Sequence, residues 1–175
     1  MNTGLLILRI VFGLLLVGHG SQKLFGMFGG PGIAGTGGWF DSVGFRPGKS
    51  MAVVAGLSEL VGGVLIAVGL LTPLASAIVI GTLLVATSVH LPNGLWAGNG
   101  GFEMPLLYIT AAVTLAFTGP GAWSLDNAFG LDSLTTIPWA IAAIVVGVVS
   151  ALVVITRARL TLKATAPVAQ VPVDA

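Results

Sequence analysis

The chain has 175 residues, of which 55% are hydrophobic and 7% are charged, and its mean hydropathy is +1.04. Apolar runs of roughly 20 residues indicate a helical membrane protein rather than a soluble domain. The net charge of +1 is too small for a nucleic-acid-binding surface. The absence of cysteine excludes disulfides, thiol redox chemistry, iron–sulfur clusters and thiolate metal sites. We therefore expect no metal, and electron transfer would need an organic cofactor, a haem or a partner subunit.

Hydropathy predicts an all-α, polytopic bundle with five transmembrane spans, at residues 4–24, 51–71, 74–91, 103–119 and 137–156. Residues 25–50 are too rich in glycine for an ordinary helix and too aromatic for a free linker. We expect this segment to lie at the membrane interface or to fold back toward the bundle. The fifth span carries no charge and is predicted to be a lipid-facing anchor. The predicted organisation is a membrane core at 1–130, an additional transmembrane helix at 131–157 and a flexible cytoplasmic tail at 158–175.

The basic residues outside the spans predict the orientation, because Lys and Arg are retained on the cytoplasmic side. They lie in the first loop and in the tail, at Lys23, Arg46, Lys49, Arg157, Arg159 and Lys163. The fourth loop carries only Asp126 and Asp132. With five spans, the first loop and the tail both lie in the cytoplasm if the N-terminus is outside and the C-terminus is inside.

Four ionisable residues lie within or at the ends of the apolar runs: Arg9, Glu59, His90 and Glu103. Such groups are costly in hydrocarbon, so they normally face a bundle interior and mark a functional site. Arg9 lies on a face of the first span that also carries glycines and Lys23, with His19 near its edge. Glu59 lies among small residues on the second span. Small residues let helices approach closely, so we expect these faces to pack together and Arg9 to pair with Glu59.

The predicted depths form a single polar funnel. Lys23, His19, His90 and Glu103 are expected toward the cytoplasmic end, with Glu59 nearer the middle and Arg9 deepest.

Structural explanations remain open for these residues. Arg9 and Glu59 could be a buried pair that fixes helix register. Glu103 could be an ordinary carboxylate at the positive end of a helix dipole, and His90 could be an interfacial residue at a helix end. A haem held between His19 and His90 is a weaker alternative, because two histidines alone are slight evidence.

Several motifs resemble the DoxX family of small bacterial integral membrane proteins: Leu8-Arg9-Ile10, the run from Gly18 to Gly26, Glu103-Met104-Pro105 and the run from Gly119 to Asp126. The resemblance covers about residues 4–130. It implies a four-helix core, to which the fifth span and the tail are additions. It also implies residence in the bacterial inner membrane and redox association there, with quinone or catechol handling and oxidative-stress complexes.

The residues and the resemblance together predict a quinone-linked redox subunit. A quinone needs an apolar slot, donors for its oxygens and a proton path. We expect Glu59, Glu103 and His90 to act in catalysis. We expect the ligand to be bound by Arg9, His19, Lys23, Glu59 and His90. A partner oxidoreductase subunit would deliver the electrons.

Two other classes of protein stay open. A membrane scaffold would use the charged cluster to lock the bundle and the first loop to dock a soluble oxidoreductase. A small proton-coupled transporter would use the same polar funnel, although no inverted repeat is visible in the sequence. The lipid bilayer is the predicted environment, and homo-oligomerisation is left open.

Overall fold

The fold is an all-α bundle, as predicted. A computed structural model describes residues 2–165, and these residues contain no strand. In chain order the helices are α1 (Asn2–Phe25), α2 (Gly32–Ser42), α3 (Gly48–Val68), α4 (Thr72–His90), α5 (Glu103–Thr118), α6 (Leu125–Ala128) and α7 (Ile137–Thr165).

Four of these helices, α1, α3, α4 and α7, are long and apolar enough to cross a membrane. The fourth predicted span corresponds to α5, which has 16 residues and is therefore about 24 Å long. That is shorter than the roughly 30 Å hydrocarbon core of a bilayer. Helix α5 is apolar and packs against α4 and α7. The chain is thus a multi-pass membrane protein.

Glycines bring α1 and α3 into backbone contact. A Cβ atom added at Gly13 would lie 2.5 Å from the Gly63 carbonyl oxygen, and one at Gly20 would lie 2.6 Å from the Gly56 carbonyl oxygen. Such close approach is typical of membrane helices that pack through small residues. The expected packing of these two faces is confirmed, and it fixes the register of the antiparallel pair: Gly13 lies between the levels of Gly63 and Ala67, and Gly20 between those of Gly56 and Leu60.

The segment between α1 and α3 contains a regular helix, α2, so the prediction that it is not helical is wrong for residues 32–42. Its glycines disfavour a helix locally, but packing overrides that preference. A Cβ atom at Gly37 would lie 2.9 Å from Lys49 Cα, and Phe40 is buried. Helix α2 therefore folds back onto α3 and α1.

Helix α7 is more than a lipid-facing anchor, contrary to expectation. It packs closely along α4, and a Cβ atom at Gly147 would lie 2.9 Å from Ile80 Cγ2. Near its end, Ala158 packs in a cluster with Phe40 and Phe45. Helix α7 runs to Thr165, so residues 158–165, which the sequence assigned to a tail, are helical. The remainder of that tail lies outside the described residues.

Candidate ligand-binding site

An ion pair joins α1 to α3 inside the bundle. Lys23 Nζ lies 2.6 Å from Glu59 Oε2 and 2.9 Å from Glu59 Oε1. The Glu59 side chain is 5% exposed and that of Lys23 is 25% exposed. A carboxylate this deeply buried needs a counter-charge, and Lys23 supplies it.

The predicted pairing of Arg9 with Glu59 is wrong, and the glycine register explains why. Because Gly13 lies between the levels of Gly63 and Ala67, Arg9 lies about one turn further along, and its guanidinium reaches Gly69. Glu59 is ten residues from Gly69, which corresponds to about 15 Å along the helix axis. Arg9 instead donates from Nη2 to the Trp123 carbonyl oxygen.

Asp126 lies three residues after Trp123, the residue to which Arg9 donates. This buried carboxylate accepts hydrogen bonds from the Leu71 N–H at 2.7 Å, the Thr72 N–H at 3.0 Å and the Thr72 hydroxyl at 2.7 Å. It thereby satisfies backbone donors at the start of α4, which have no partner within the helix. The polar residues therefore form two clusters near opposite ends of α1, rather than one funnel.

A cavity of about 440 Å³ lies beside the Lys23–Glu59 pair, between α3, α4 and α7. Its lining follows α4 from Leu74 to His90, a distance of about 24 Å. Val54, Leu74 and Val146 line it and are each more than half exposed, so the cavity is open toward lipid along its side. Most of the lining is apolar, and its ionisable members are Lys23, Glu59 and His90.

The glycine-rich segment contributes aromatic residues to this cavity: Trp39, Phe40 and Phe45. The rings of Trp39 and His90 are 6.2 Å apart between centroids. His90 Nδ1 lies 2.8 Å from the Gly100 carbonyl oxygen. Because a carbonyl can only accept, Nδ1 carries the proton in that hydrogen bond, and in a neutral imidazole Nε2 is then the acceptor.

The structure brings together three of the six predicted site residues, Lys23, Glu59 and His90. The other three, Arg9, His19 and Glu103, do not line this cavity. His19 packs edge-on against Tyr108 and lies 3.2 Å from the Gln22 side-chain oxygen. Glu103 Oε2 accepts from the Ala97 N–H at 2.9 Å, so this carboxylate holds the loop before α5. His19 and His90, the pair considered as haem ligands in the weaker alternative, do not share the cavity.

Sequence reasoning missed the hydroxyl residues Ser58 and Thr82, which also line the cavity. Ser58 directly precedes Glu59 in an apolar span, and this adjacency could have indicated that it lies near the same site. The role of Asp126 had no such signal, because its partners in α4 are 54 and 55 residues away in the chain.

The sequence resembles one protein family and two curated proteins. The family model described as DoxX matches residues 4–91, which include Lys23, Glu59 and His90. "Putative oxidoreductase CatD" of Bacillus subtilis (strain 168) is 33% identical over 123 residues, covering 70% of this chain and 84% of that protein. An uncharacterized protein of Haemophilus influenzae (strain ATCC 51907 / DSM 11121 / KW20 / Rd) is 31% identical over 132 residues, covering 70% and 87%. No solved structure gives a significant match.

A double-mutant cycle distinguishes the observed pairing from the predicted one. Lys23→Met and Glu59→Gln should show a coupling of more than about 1 kcal/mol in unfolding free energy, because the two side chains are in contact. Arg9→Met and Glu59→Gln should be additive within about 0.5 kcal/mol, because they share no partner. Unfolding in mild detergent provides the measurement. A large coupling between Arg9 and Glu59, with none between Lys23 and Glu59, would contradict the structure.

Proposed function

The chain belongs to the DoxX family, and from that premise we propose that it is a quinone-linked redox subunit whose cavity holds a quinone-like ring beside the Lys23–Glu59 pair. One observation carries the proposal: a long, mostly apolar cavity, open to lipid along its side, contains a buried ion pair and an imidazole. The relative named as an oxidoreductase adds support for a redox role.

The dimensions suit a ring with an apolar tail. Ligand cavities typically measure about 300–1,000 Å³ and combine apolar walls with a few polar groups, and this cavity measures about 440 Å³. Trp39, Phe40 and Phe45 offer flat surfaces for the ring. The tail would follow the apolar lining along α4 and leave through the lipid-facing opening.

The three ionisable residues supply what the reaction needs. Reduction of a quinone to a hydroquinone takes up two electrons and two protons, one proton on each oxygen. The Lys23 ammonium would donate a hydrogen bond to one ligand oxygen, and Glu59 would relay protons to it. His90 Nε2 would exchange a proton with the ligand or with water. A partner oxidoreductase subunit would supply the electrons, since the chain has no cysteine for a metal–sulfur centre.

This assignment changes the roles that the sequence predicted. Arg9 and His19 no longer bind the ligand, and Lys23 is its charged hydrogen-bond donor. The proton relay is assigned to Glu59 and His90, and Glu103 is assigned to the loop that it holds.

A scaffold that docks a soluble oxidoreductase is the second candidate, and the charge distribution favours it. Five exposed basic residues share one end of the bundle: Arg46, Lys49, Arg157, Arg159 and Lys163. None of them forms an ion pair within residues 2–165. An acidic protein surface would be complementary to this end.

We further propose residence in the bacterial inner membrane, with the N-terminus outside and the C-terminus in the cytoplasm. Six of the seven Lys and Arg residues belong to the end of α1, the start of α3 with its preceding loop, and the end of α7. The end of α7 lies beside the loop before α3, because Ala158 packs with Phe45 and Arg157 donates to the Arg46 carbonyl oxygen. An excess of basic residues marks the cytoplasmic side.

The quinone content of the purified protein tests the proposed function. Mass spectrometry of the organic extract, after purification in mild detergent, should find quinone in stoichiometric amount. Glu59→Gln should lower the quinone content about tenfold or more, because it removes a charge-assisted hydrogen-bonding partner. The matched control, Asp132→Asn, changes an exposed loop carboxylate that does not line the cavity and should retain wild-type quinone. Haem in place of quinone would contradict the proposed function, and the absence of both ligands would favour the scaffold.

Cysteine labelling tests the orientation, and the chain's lack of cysteine makes single-cysteine variants unambiguous. A membrane-impermeant maleimide added to intact cells should label Ser133→Cys, in the loop between α6 and α7. It should label Thr165→Cys, at the end of α7, only after permeabilisation. Both positions are exposed. The reverse labelling pattern would contradict the proposed orientation.

A further inference from the structure

Hydroxyl side chains in the membrane-spanning helices mostly bond to their own backbone. Seven of them donate to a carbonyl oxygen three or four residues earlier, at 2.7–2.9 Å: Ser21, Thr87, Ser88, Thr110, Thr114, Thr118 and Ser150. This satisfies the hydroxyl where no water is present. The pattern is the ordinary state of such a residue in a bilayer.

Ser58 and Thr82 depart from that pattern. Neither hydroxyl makes a hydrogen bond to any of residues 2–165, and both residues line the cavity. Ser76 is also without a partner, but it is fully buried in the core and does not line the cavity. Ser58 and Thr82 are therefore unsatisfied where a ligand could reach them.

The two hydroxyl residues line the cavity from α3 and from α4. A Cβ atom at Gly62 would lie 3.2 Å from Ile78 Cγ2, so these two residues are level in the antiparallel pair. Ser58 lies one turn before Gly62, and Thr82 lies one turn after Ile78, on the same helix faces. Ser58 and Thr82 are consequently at nearly one level, and both line the cavity.

We propose that Ser58 and Thr82 form a hydroxyl clamp that holds a second oxygen of the cavity's ligand. Ser58 directly precedes Glu59, so the clamp lies at nearly the same depth as the Lys23–Glu59 pair. A ligand held by both carries two oxygen functions on one ring: one binds the ion pair and the other binds the clamp. This deepens the proposed function and rests on it, and it excludes lipids with one polar head as the preferred ligand.

The chemistry of the clamp suits both redox states of such a ring. A hydroxyl can donate to the carbonyl oxygen of a quinone and can accept from the O–H of a hydroquinone. The clamp therefore holds the ligand before and after the transfer of two electrons and two protons. A charged donor at the same position would favour one state over the other.

Binding of matched probes to the full-length protein in lipid nanodiscs tests the clamp. The probes are a decyl-substituted 1,4-benzoquinone, its hydroquinone, and 4-decylphenol, which carries one oxygen. Ser58→Ala with Thr82→Val should weaken binding of both two-oxygen probes about tenfold, the loss expected for one to two hydrogen bonds. Binding of 4-decylphenol should stay unchanged. Thr82→Ser, which keeps the hydroxyl, should bind like the wild type.

Thr87→Val and Ser88→Ala are the matched controls. They make the same chemical changes at hydroxyls that bond to their own helix and do not line the cavity, and they should leave all affinities unchanged. Wild-type affinity of the double variant for the benzoquinone would overturn the clamp and leave the proposed function standing. An equal loss for 4-decylphenol would overturn it as well, since the cavity itself would have changed. If the wild type bound none of the probes, the proposed function and the clamp would fail together.

Discussion

The close contact between α1 and α3 is the constraint on which the arrangement of charges depends. The contacts of Gly13 with Gly63 and of Gly20 with Gly56 leave no space for a side chain. The two helices therefore cannot shift along each other without a steric clash. Within that register Lys23 reaches Glu59, and Arg9 lies too far along α1 to do so. A buried carboxylate without a counter-charge would strongly destabilise the bundle. The glycines therefore determine which charge is paired and, through it, where a polar ligand can bind.

The two charged clusters differ in their surroundings. This difference assigns a structural role to Arg9 and Asp126, and a ligand-binding role to Lys23 and Glu59. Arg9 is 1% exposed and does not line the cavity. It ties α1 to the loop before α6, and Asp126 ties α6 to the start of α4. The Lys23–Glu59 pair borders open space that is continuous with the lipid-facing side of the bundle. Only the second cluster is placed where a membrane-soluble ligand can enter. Helix α7 supplies one wall of this cavity.

Much of this fold follows from the sequence, but the pairing of its charges does not. Hydropathy located the apolar helices, and helical periodicity identified the glycine faces that pack. Periodicity assigns a residue to a face but not to a depth, so it could not choose between Arg9 and Lys23 as the partner of Glu59. Helix α2 forms despite its glycines because α3 packs against it, and Asp126 meets α4 only through the tertiary fold. Both depend on long-range contacts that local sequence does not encode.

Photochemical labelling tests most directly whether the cavity beside Lys23 and Glu59 is where the ligand binds. The reagent is a quinone with an aryl azide on its ring, applied to the protein in native membranes, and peptide mass spectrometry locates the adducts. Adducts should fall on cavity-lining residues of α3 and α4, in the ranges 51–59 and 77–90, and excess unlabelled quinone should suppress them. Adducts concentrated in the loop beside Arg9, or labelling that unlabelled quinone does not suppress, would contradict this assignment.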